Sequence, residues 1–140
     1  HLVIDQQEST LALSMARIED FLAEQGAGSH VQFRIQLALD ELVTNVLNYG
    51  GGDGGSTPTV RIDLGVADSN LICEIRDDGV AFNPLDVPPP DTEAELEDRN
   101  IGGLGIHFVR QMFPDLRYRN DGGGNVLRLA CPLDDESDAN

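Results

Sequence analysis

The chain has 140 residues, with 25 acidic side chains against 9 basic ones, so its formal net charge is −16. This length suits one domain with a hydrophobic core, because chains of about this size bury roughly two-thirds of their unfolded surface. The charge disfavours nucleic acid and anionic membranes as partners, since both are bound mainly through cationic side chains. An anionic ligand must therefore be held locally, by backbone amides, a metal ion or a few arginines.

Other compositional features narrow the class of protein further. No apolar run approaches the ~20 residues of a membrane span, and the start of the chain shows no signal-peptide pattern. Cys73 and Cys131 both lie inside apolar runs and form neither a disulfide framework nor a zinc pattern. We therefore expect a soluble, cytoplasmic protein.

The hydrophobic pattern predicts a series of helices and strands. Apolar side chains at helical spacing indicate helices, and alternation of apolar and polar side chains indicates strands. The predicted elements are an edge strand at 2–4, helices from 9 or 10 to about 25, from about 31 to 49 and from 105 to about 113, and strands at 60–66, 71–76, 116–119 and 125–132. This order predicts an α+β two-layer sandwich, with helices on one face of a mixed, largely antiparallel sheet.

Two segments have a different composition. Residues 83–100 combine four prolines with a run of acidic side chains, which predicts a long mobile loop of the kind that is usually functional or disordered. Residues 134–140 form an acidic tail that we expect to be disordered. The predicted domain therefore covers residues 1–133, and the tail follows it.

The second predicted helix carries three polar residues on one face. Glu41 and Asn45 are four residues apart, and Asn48 is three further on, so all three share a face of a largely apolar helix. One interpretation is an ordinary solvated face. The other is a functional site, in which Glu41 is a general base and Asn45 is an oxygen ligand for Mg²⁺. Both interpretations stay open on this feature alone.

An Asp-Asp-Gly sequence directly follows an apolar strand. A strand-ending turn explains Gly79, but not two carboxylates at the exit of a buried strand. A shielded carboxylate there can accept a hydrogen bond from an exocyclic amine such as that of adenine. Gly79 would allow a planar base to approach the backbone. The pattern alone predicts such a site only weakly.

A glycine-rich segment, residues 102–105, opens the third predicted helix. Exposed backbone N–H groups and the helix dipole make such a start an anion-binding site, which would let an acidic protein hold phosphates. A flexible hinge or an ordinary helix start is the commoner explanation for an isolated glycine cluster. The segment is not a lysine-containing phosphate loop, because the chain has no lysine.

Taken in order, the three motifs resemble those of the GHKL superfamily of ATPases and kinases. The asparagine box of that superfamily matches Asp40–Gly50, its first glycine box matches Asp77–Gly79, and its second matches Gly102–Gly105. The chain is most similar to the small anti-sigma-factor serine/threonine kinases of the RsbW and SpoIIAB type. The resemblance covers nearly the whole chain and implies a histidine-kinase-like ATP-binding fold.

The resemblance also implies roles for individual residues. Glu41 would activate the substrate hydroxyl, Asn45 would bind Mg²⁺, and Asp77 would recognise the adenine amine with Gly79 beside it. The phosphate-contacting segment would comprise Gly103, Leu104 and Gly105. No role transfers to Asp78, which occupies the variable position of its box. Arg99 precedes the glycines and could clamp a phosphate, although a solvated loop arginine is an equally good interpretation.

The predicted function is that of an ATP- and Mg²⁺-dependent protein kinase acting as an anti-sigma factor. The resemblance implies an anti-anti-sigma factor with a STAS domain as substrate and a sigma factor as competing partner, and it leaves open a homodimer. One alternative is a binding module that holds ATP without transferring phosphate. Another is the catalytic domain of a histidine kinase, for which no helical hairpin with a phosphoacceptor histidine precedes residue 11.

Overall fold

The computed structural model describes residues 1–5, 11–51, 57–86 and 103–133; of Tyr49 and Leu104 it describes the backbone. Three helices pack against a five-stranded sheet. The helices are α1 (Leu11–Glu24), α2 (Ser29–Tyr49) and α3 (Gly103–Met112), and the strands are β1 (Leu2–Asp5), β2 (Val60–Ala67), β3 (Asn70–Asp77), β4 (Arg117–Asn120) and β5 (Asn125–Pro132). Helix α3 begins two residues before its predicted start, and a short 3-10 turn, Pro84–Asp86, lies within the predicted loop.

The strands are arranged in the order β1-β2-β3-β5-β4. All four pairings of the described strands are antiparallel. The prediction of a mixed sheet allowed some parallel pairing, and none occurs among these strands. Strand β5 pairs along its whole length with β3, from Asn125 opposite Asp77 to Pro132 opposite Asn70. This pairing places the start of β5 beside the end of β3.

Glycines bound the helical segments. Helix α1 is followed by Gly26, whose positive φ of 77° is typical of a helix C-terminus. Gly28 has extended backbone at the N-terminus of α2 and supplies no side-chain cap. At the other end of α2, the Gly50 N–H donates to the Val46 carbonyl at 2.7 Å. These two bounds give α2 its 21-residue length.

The hydrophobic core lies between the helices and one face of the sheet. Its largest fully buried side chains are aliphatic and come from both layers: Ile4, Ile18, Leu22, Val31, Ile35, Leu39, Leu42, Ile62, Leu64, Leu71, Ile75 and Leu129. Both cysteines are buried and form no disulfide, and burial raises the pKa of the Cys73 thiol. Their interpretation as buried strand residues is confirmed.

Several predictions concern residues outside the described ranges. They include the greater part of the 83–100 loop with Arg99, and the tail 134–140, so the proposed domain boundary at residue 133 stays a prediction. Among the described residues, no helix combines the length and apolar character that crossing a membrane requires.

Candidate nucleotide site

Glu41 and Asn45 lie four residues apart on one face of helix α2. Both side chains are half-buried, whereas Asn48 at the end of the same face is exposed. Neither Glu41 nor Asn45 makes a side-chain hydrogen bond or ion pair with another described residue. A partly shielded carboxylate and amide without protein partners are free to bind a ligand. Their partial burial differs from the exposure of Asn48 on the same face.

The first turn of α3 explains why Glu41 is half-buried. A Cβ atom at position 105 would overlap the Oε2 atom of Glu41 and lie 2.6 Å from its Cδ atom. Glycine at this position therefore permits the close approach of the helix to the carboxylate. The first-turn N–H groups of a helix have no intrahelical acceptor and form the positive end of its dipole. Glu41 thus adjoins the helix start predicted to bind phosphate.

Asp77 is held in a fixed orientation at the end of β3. Its side chain is buried, and its Oδ1 atom accepts hydrogen bonds from the Gly79 N–H and the Asn125 side-chain amide, both at 2.9 Å. The second oxygen, Oδ2, has no hydrogen-bond donor among the described residues. A fixed carboxylate with one available oxygen is suited to accept a hydrogen bond from an exocyclic amine.

Gly79 joins the loop after β3 to the end of α2. The Gly50 carbonyl accepts a hydrogen bond from the Val80 N–H at 2.8 Å. A Cβ atom on Gly79 would lie 2.6 Å from that same carbonyl oxygen, so only glycine fits without a backbone shift. The asparagine-bearing helix and the Asp77 loop are therefore in direct contact, although no hydrogen bond joins Asp77 to Glu41 or Asn45.

A comparison with protein families identifies this arrangement. The model of the histidine kinase-like ATPase domain matches residues 5–131, nearly the whole chain. The chain belongs to this ATPase family. The match confirms the resemblance derived from the three motifs, and it spans α2, the Asp77 loop and α3 together.

Curated relatives of this ATPase domain include protein kinases. The serine/threonine-protein kinase BtrW of Bordetella bronchiseptica is 25% identical over 109 residues, which cover 78% of this chain and 76% of that protein. The serine-protein kinase RsbW of Oceanobacillus iheyensis is 22% identical over 108 residues, covering 74% and 68% respectively. These names support kinase activity in general terms.

Solved structures with the same fold come from histidine kinases. The catalytic domain of the histidine kinase ThkA covers 96% of this chain and 97% of its own, with a TM-score of 0.52 at 14% identity. The Acinetobacter baumannii histidine kinase AdeS has a TM-score of 0.50 at 19% identity, over 73% of this chain and 47% of its own. At this identity the likeness concerns the fold, and it confirms the predicted α+β sandwich.

Asn125 is a residue of the site that the sequence did not single out. Its side-chain amide donates to Asp77 Oδ1 and to the Val80 carbonyl, the latter at 2.8 Å. Its Oδ1 atom accepts from the Phe82 N–H at 3.1 Å and from the Tyr118 hydroxyl at 2.6 Å. All four hydrogen-bonding positions of the amide are therefore used, which fixes its orientation. Only the pairing of β5 with β3 brings it to Asp77.

Asp78 has a structural role in this ATPase domain. It is exposed, and its Oδ1 atom accepts a hydrogen bond from the Thr59 N–H at 2.7 Å. This hydrogen bond holds the pKa of the Asp78 carboxyl below its usual value. Asp78 thus ties the end of β3 to the start of β2.

The described residues contain no cluster of three or more His, Cys, Asp or Glu side chains that could hold a metal ion. This finding is compatible with Mg²⁺ bound mainly by phosphate oxygens, because Mg²⁺ in nucleotide sites commonly takes few protein ligands. Asn45 is half-buried and its side chain has no hydrogen-bond partner among the described residues, so its oxygen suits such a ligand role.

A recess of about 380 Å³ lies at the ends of β2, β3 and β5. Asp77 and Asn125 contribute to its wall, but so do Arg61 and Arg76, which lie on the face of the sheet away from the helices. Glu41, Asn45 and Gly105 are not in this wall. The recess therefore opens on the face of the sheet opposite the three helices and is separate from the Glu41–Gly105 contact.

Proposed function

We propose that the chain is an ATP- and Mg²⁺-dependent protein kinase that phosphorylates a serine or threonine of a partner protein. The observation that carries this proposal is the position of Glu41, whose carboxylate lies against Gly105 in the first turn of α3. A candidate base and a candidate phosphate-binding helix start are thereby adjacent. Phosphoryl transfer needs such positioning more than it needs covalent chemistry.

In the proposed reaction, the acceptor hydroxyl oxygen forms a bond to the γ-phosphorus of ATP. The bond between that phosphorus and the β,γ-bridging oxygen breaks, so ADP leaves. Glu41 takes the proton of the hydroxyl group as general base. The first-turn N–H groups of α3 donate hydrogen bonds to the phosphate oxygens. Leu104 and Arg99 belong to the same proposed phosphate-contacting segment.

The nucleotide is recognised, in this proposal, at the end of the sheet. Asp77 accepts a hydrogen bond from the adenine amine through Oδ2, while Gly79 and Asn125 hold Oδ1. Mg²⁺ would be held by Asn45 together with phosphate oxygens, and it supplies neutralisation of their negative charge.

The proposed protein partners follow from the resemblance to anti-sigma kinases. The acceptor would be an anti-anti-sigma factor with a STAS domain, and a sigma factor would compete for the same kinase. The similarity to proteins named serine-protein kinase supports the acceptor residue type. These names mention no sigma factor, so the proposal of a sigma-factor partner rests on the resemblance alone.

The decisive experiment compares Glu41→Gln with the unaltered chain. Loss of the base should lower the rate of phosphoryl transfer to STAS-domain proteins of the same genome by about 10²- to 10⁴-fold. ATP affinity, measured by calorimetry, should change little because the amide is of the same size. Glu19→Gln, on the exposed surface of α1, is the matched control.

Each outcome has a distinct meaning. Unchanged phosphoryl transfer by Glu41→Gln would overturn the assignment of the base. If the unaltered chain binds ATP but phosphorylates none of the STAS-domain proteins, the non-catalytic binding module becomes the better description. If it binds no ATP with Mg²⁺, the kinase proposal fails.

A further inference from the structure

The face of the sheet opposite the helices concentrates the basic side chains of this acidic protein. In antiparallel pairs, residues directly opposite each other lie on the same face. Strand register and alternating burial place five of the nine arginines on this outer face: Arg61, Arg76, Arg117, Arg119 and Arg128. None of the three helices covers them, because all three pack on the other face.

The charge balance of the outer face differs from that of the remaining chain. Its five arginines are accompanied by four carboxylates: Asp5, Asp63, Glu74 and the nearby Asp121. The rest of the chain has four arginines against 21 carboxylates. The outer face is therefore nearly neutral and rich in arginine, whereas the rest of the chain is strongly negative.

Ion pairs within this face are unevenly distributed. Glu74 lies 3.7 Å from both Arg76 and Arg119, and Asp121 lies 3.0 Å from Arg76. Arg117 and Arg128 make no ion pair or hydrogen bond with a described residue. The basic surplus is therefore concentrated at the β4 and β5 side of the sheet.

The two unpaired arginines lie opposite each other. Arg117 on β4 is the direct cross-strand neighbour of Arg128 on β5. Like charges directly opposite each other destabilise a sheet. The charge interaction of this pair therefore opposes folding, whereas an anionic group bound between the two guanidinium groups would relieve their repulsion.

We propose that the surface formed by Arg117, Arg119 and Arg128 binds a short acidic segment of a partner protein. Arginine suits this role because its planar guanidinium group binds carboxylates in two-point contacts. The arginine stems also provide apolar contact, since Val126 lies between Arg76 and Arg119 on this face and is only 2% exposed. The proposal is independent of the kinase activity.

The charge of the whole chain favours a protein segment over an extended polyanion. Nucleic acid is bound through many phosphate contacts along its length, and its approach to a chain of net charge −16 is opposed outside the small basic surface. A short acidic peptide needs only a few such contacts, which a small group of arginines can supply.

The test uses a fluorescently labelled short polyglutamate peptide and the complete chain, with binding measured by anisotropy at low and at high salt. We expect binding that weakens with salt, and that falls about tenfold in Arg117→Gln and in Arg128→Gln. Arg17→Gln is the matched control, because Arg17 is an exposed arginine on α1 that likewise makes no ion pair with a described residue. It should change affinity by less than about twofold.

A second readout separates binding from a structural role. Because removal of either member relieves like-charge repulsion, the thermal midpoint of both variants should stay level or rise. A clear fall in that midpoint would indicate a structural role and overturn the proposal. So would an equal effect of Arg17→Gln, the absence of peptide binding by the unaltered chain, or equally tight binding of single-stranded DNA of the same charge.

Discussion

The carboxylate of Glu41 lies directly against Gly105, at a distance that leaves no room for a methyl group on the α3 backbone. The residue proposed as base and the helix proposed to hold phosphate are thus in van der Waals contact. A shift of the start of α3 would therefore move the Glu41 carboxylate directly, because no side chain lies between the two. The geometry of this contact can be tested separately from the chemistry of the carboxylate.

Gly105→Ala should impair phosphoryl transfer while the fold stays intact. The new methyl group overlaps only the end of the flexible Glu41 side chain, which can move aside at little cost. Alanine also favours a helix over glycine by up to ~1 kcal/mol. We therefore expect an unchanged or higher thermal midpoint, together with a fall in transfer rate of about tenfold or more, measured on the same preparation.

A double-mutant comparison tests whether Gly105→Ala lowers the transfer rate through its effect on Glu41. In the Glu41→Gln background, Gly105→Ala should have little further effect on the rate, because the base is already absent. Gly65→Ala, where a methyl group meets nothing closer than 3.9 Å, is the control. Additive losses in the double variant would contradict the coupling.

Asp77→Asn should weaken ATP binding by about 10- to 100-fold. The new amide oxygen can still accept from Gly79 and Asn125, so its NH₂ group would replace Oδ2 and face the donor amine of adenine. Guanine has a carbonyl oxygen at the corresponding ring position, so the ratio of GTP to ATP affinity should rise. Calorimetry with both nucleotides measures this ratio; an unaltered ratio would contradict the proposed role of Asp77.

The sequence predicts the elements of the fold and the motifs of the site because both depend on local pattern. Apolar periodicity and the glycine that follows it predict helix α2. The observed helix has 21 residues and begins two residues before the predicted start. Glu41 and Asn45 follow from their spacing on one helical face. The family match over residues 5–131 confirms the resemblance that these motifs indicate.

Contacts between distant segments could not be predicted in this way. Asn125 is 48 residues from Asp77, and only the antiparallel pairing of β5 with β3 brings the two together. A signal was available, since Asn125 is polar and begins a largely apolar strand, but a turn residue fits that pattern equally well. The contact between Glu41 and Gly105 likewise depends on how closely α2 and α3 pack against each other.

Asn125→Asp should destabilise the protein at neutral pH and less so in acid. The new carboxylate would face Asp77 Oδ1 where an amide now donates a hydrogen bond. Two adjacent carboxylates resist double ionisation, so the folded-state pKa of the pair rises above the unfolded value. Stability is then greatest below the unfolded pKa and is lost as pH rises through the folded pKa.

Denaturant unfolding at several pH values measures this difference. The loss at neutral pH should be about 1–3 kcal/mol, the cost of leaving a buried polar group without a partner. Asn120→Asp is the control, because Asn120 is exposed and uses only its oxygen, which accepts from the Gly122 N–H. A penalty for Asn125→Asp that does not shrink on acidification would contradict the electrostatic explanation.

Asp78→Asn should cost stability at neutral pH, by less than about 1 kcal/mol because the side chain is exposed. The Thr59 N–H bond holds the pKa of Asp78 below its unfolded value of about 3.9, so the ionised form contributes stability above that pH. This contribution is lost as pH falls through the lower folded pKa. The unfolding free energies of the variant and the unaltered chain should therefore converge in strong acid. A difference that stays constant with pH would locate the effect of Asp78→Asn elsewhere than in the ionised carboxylate.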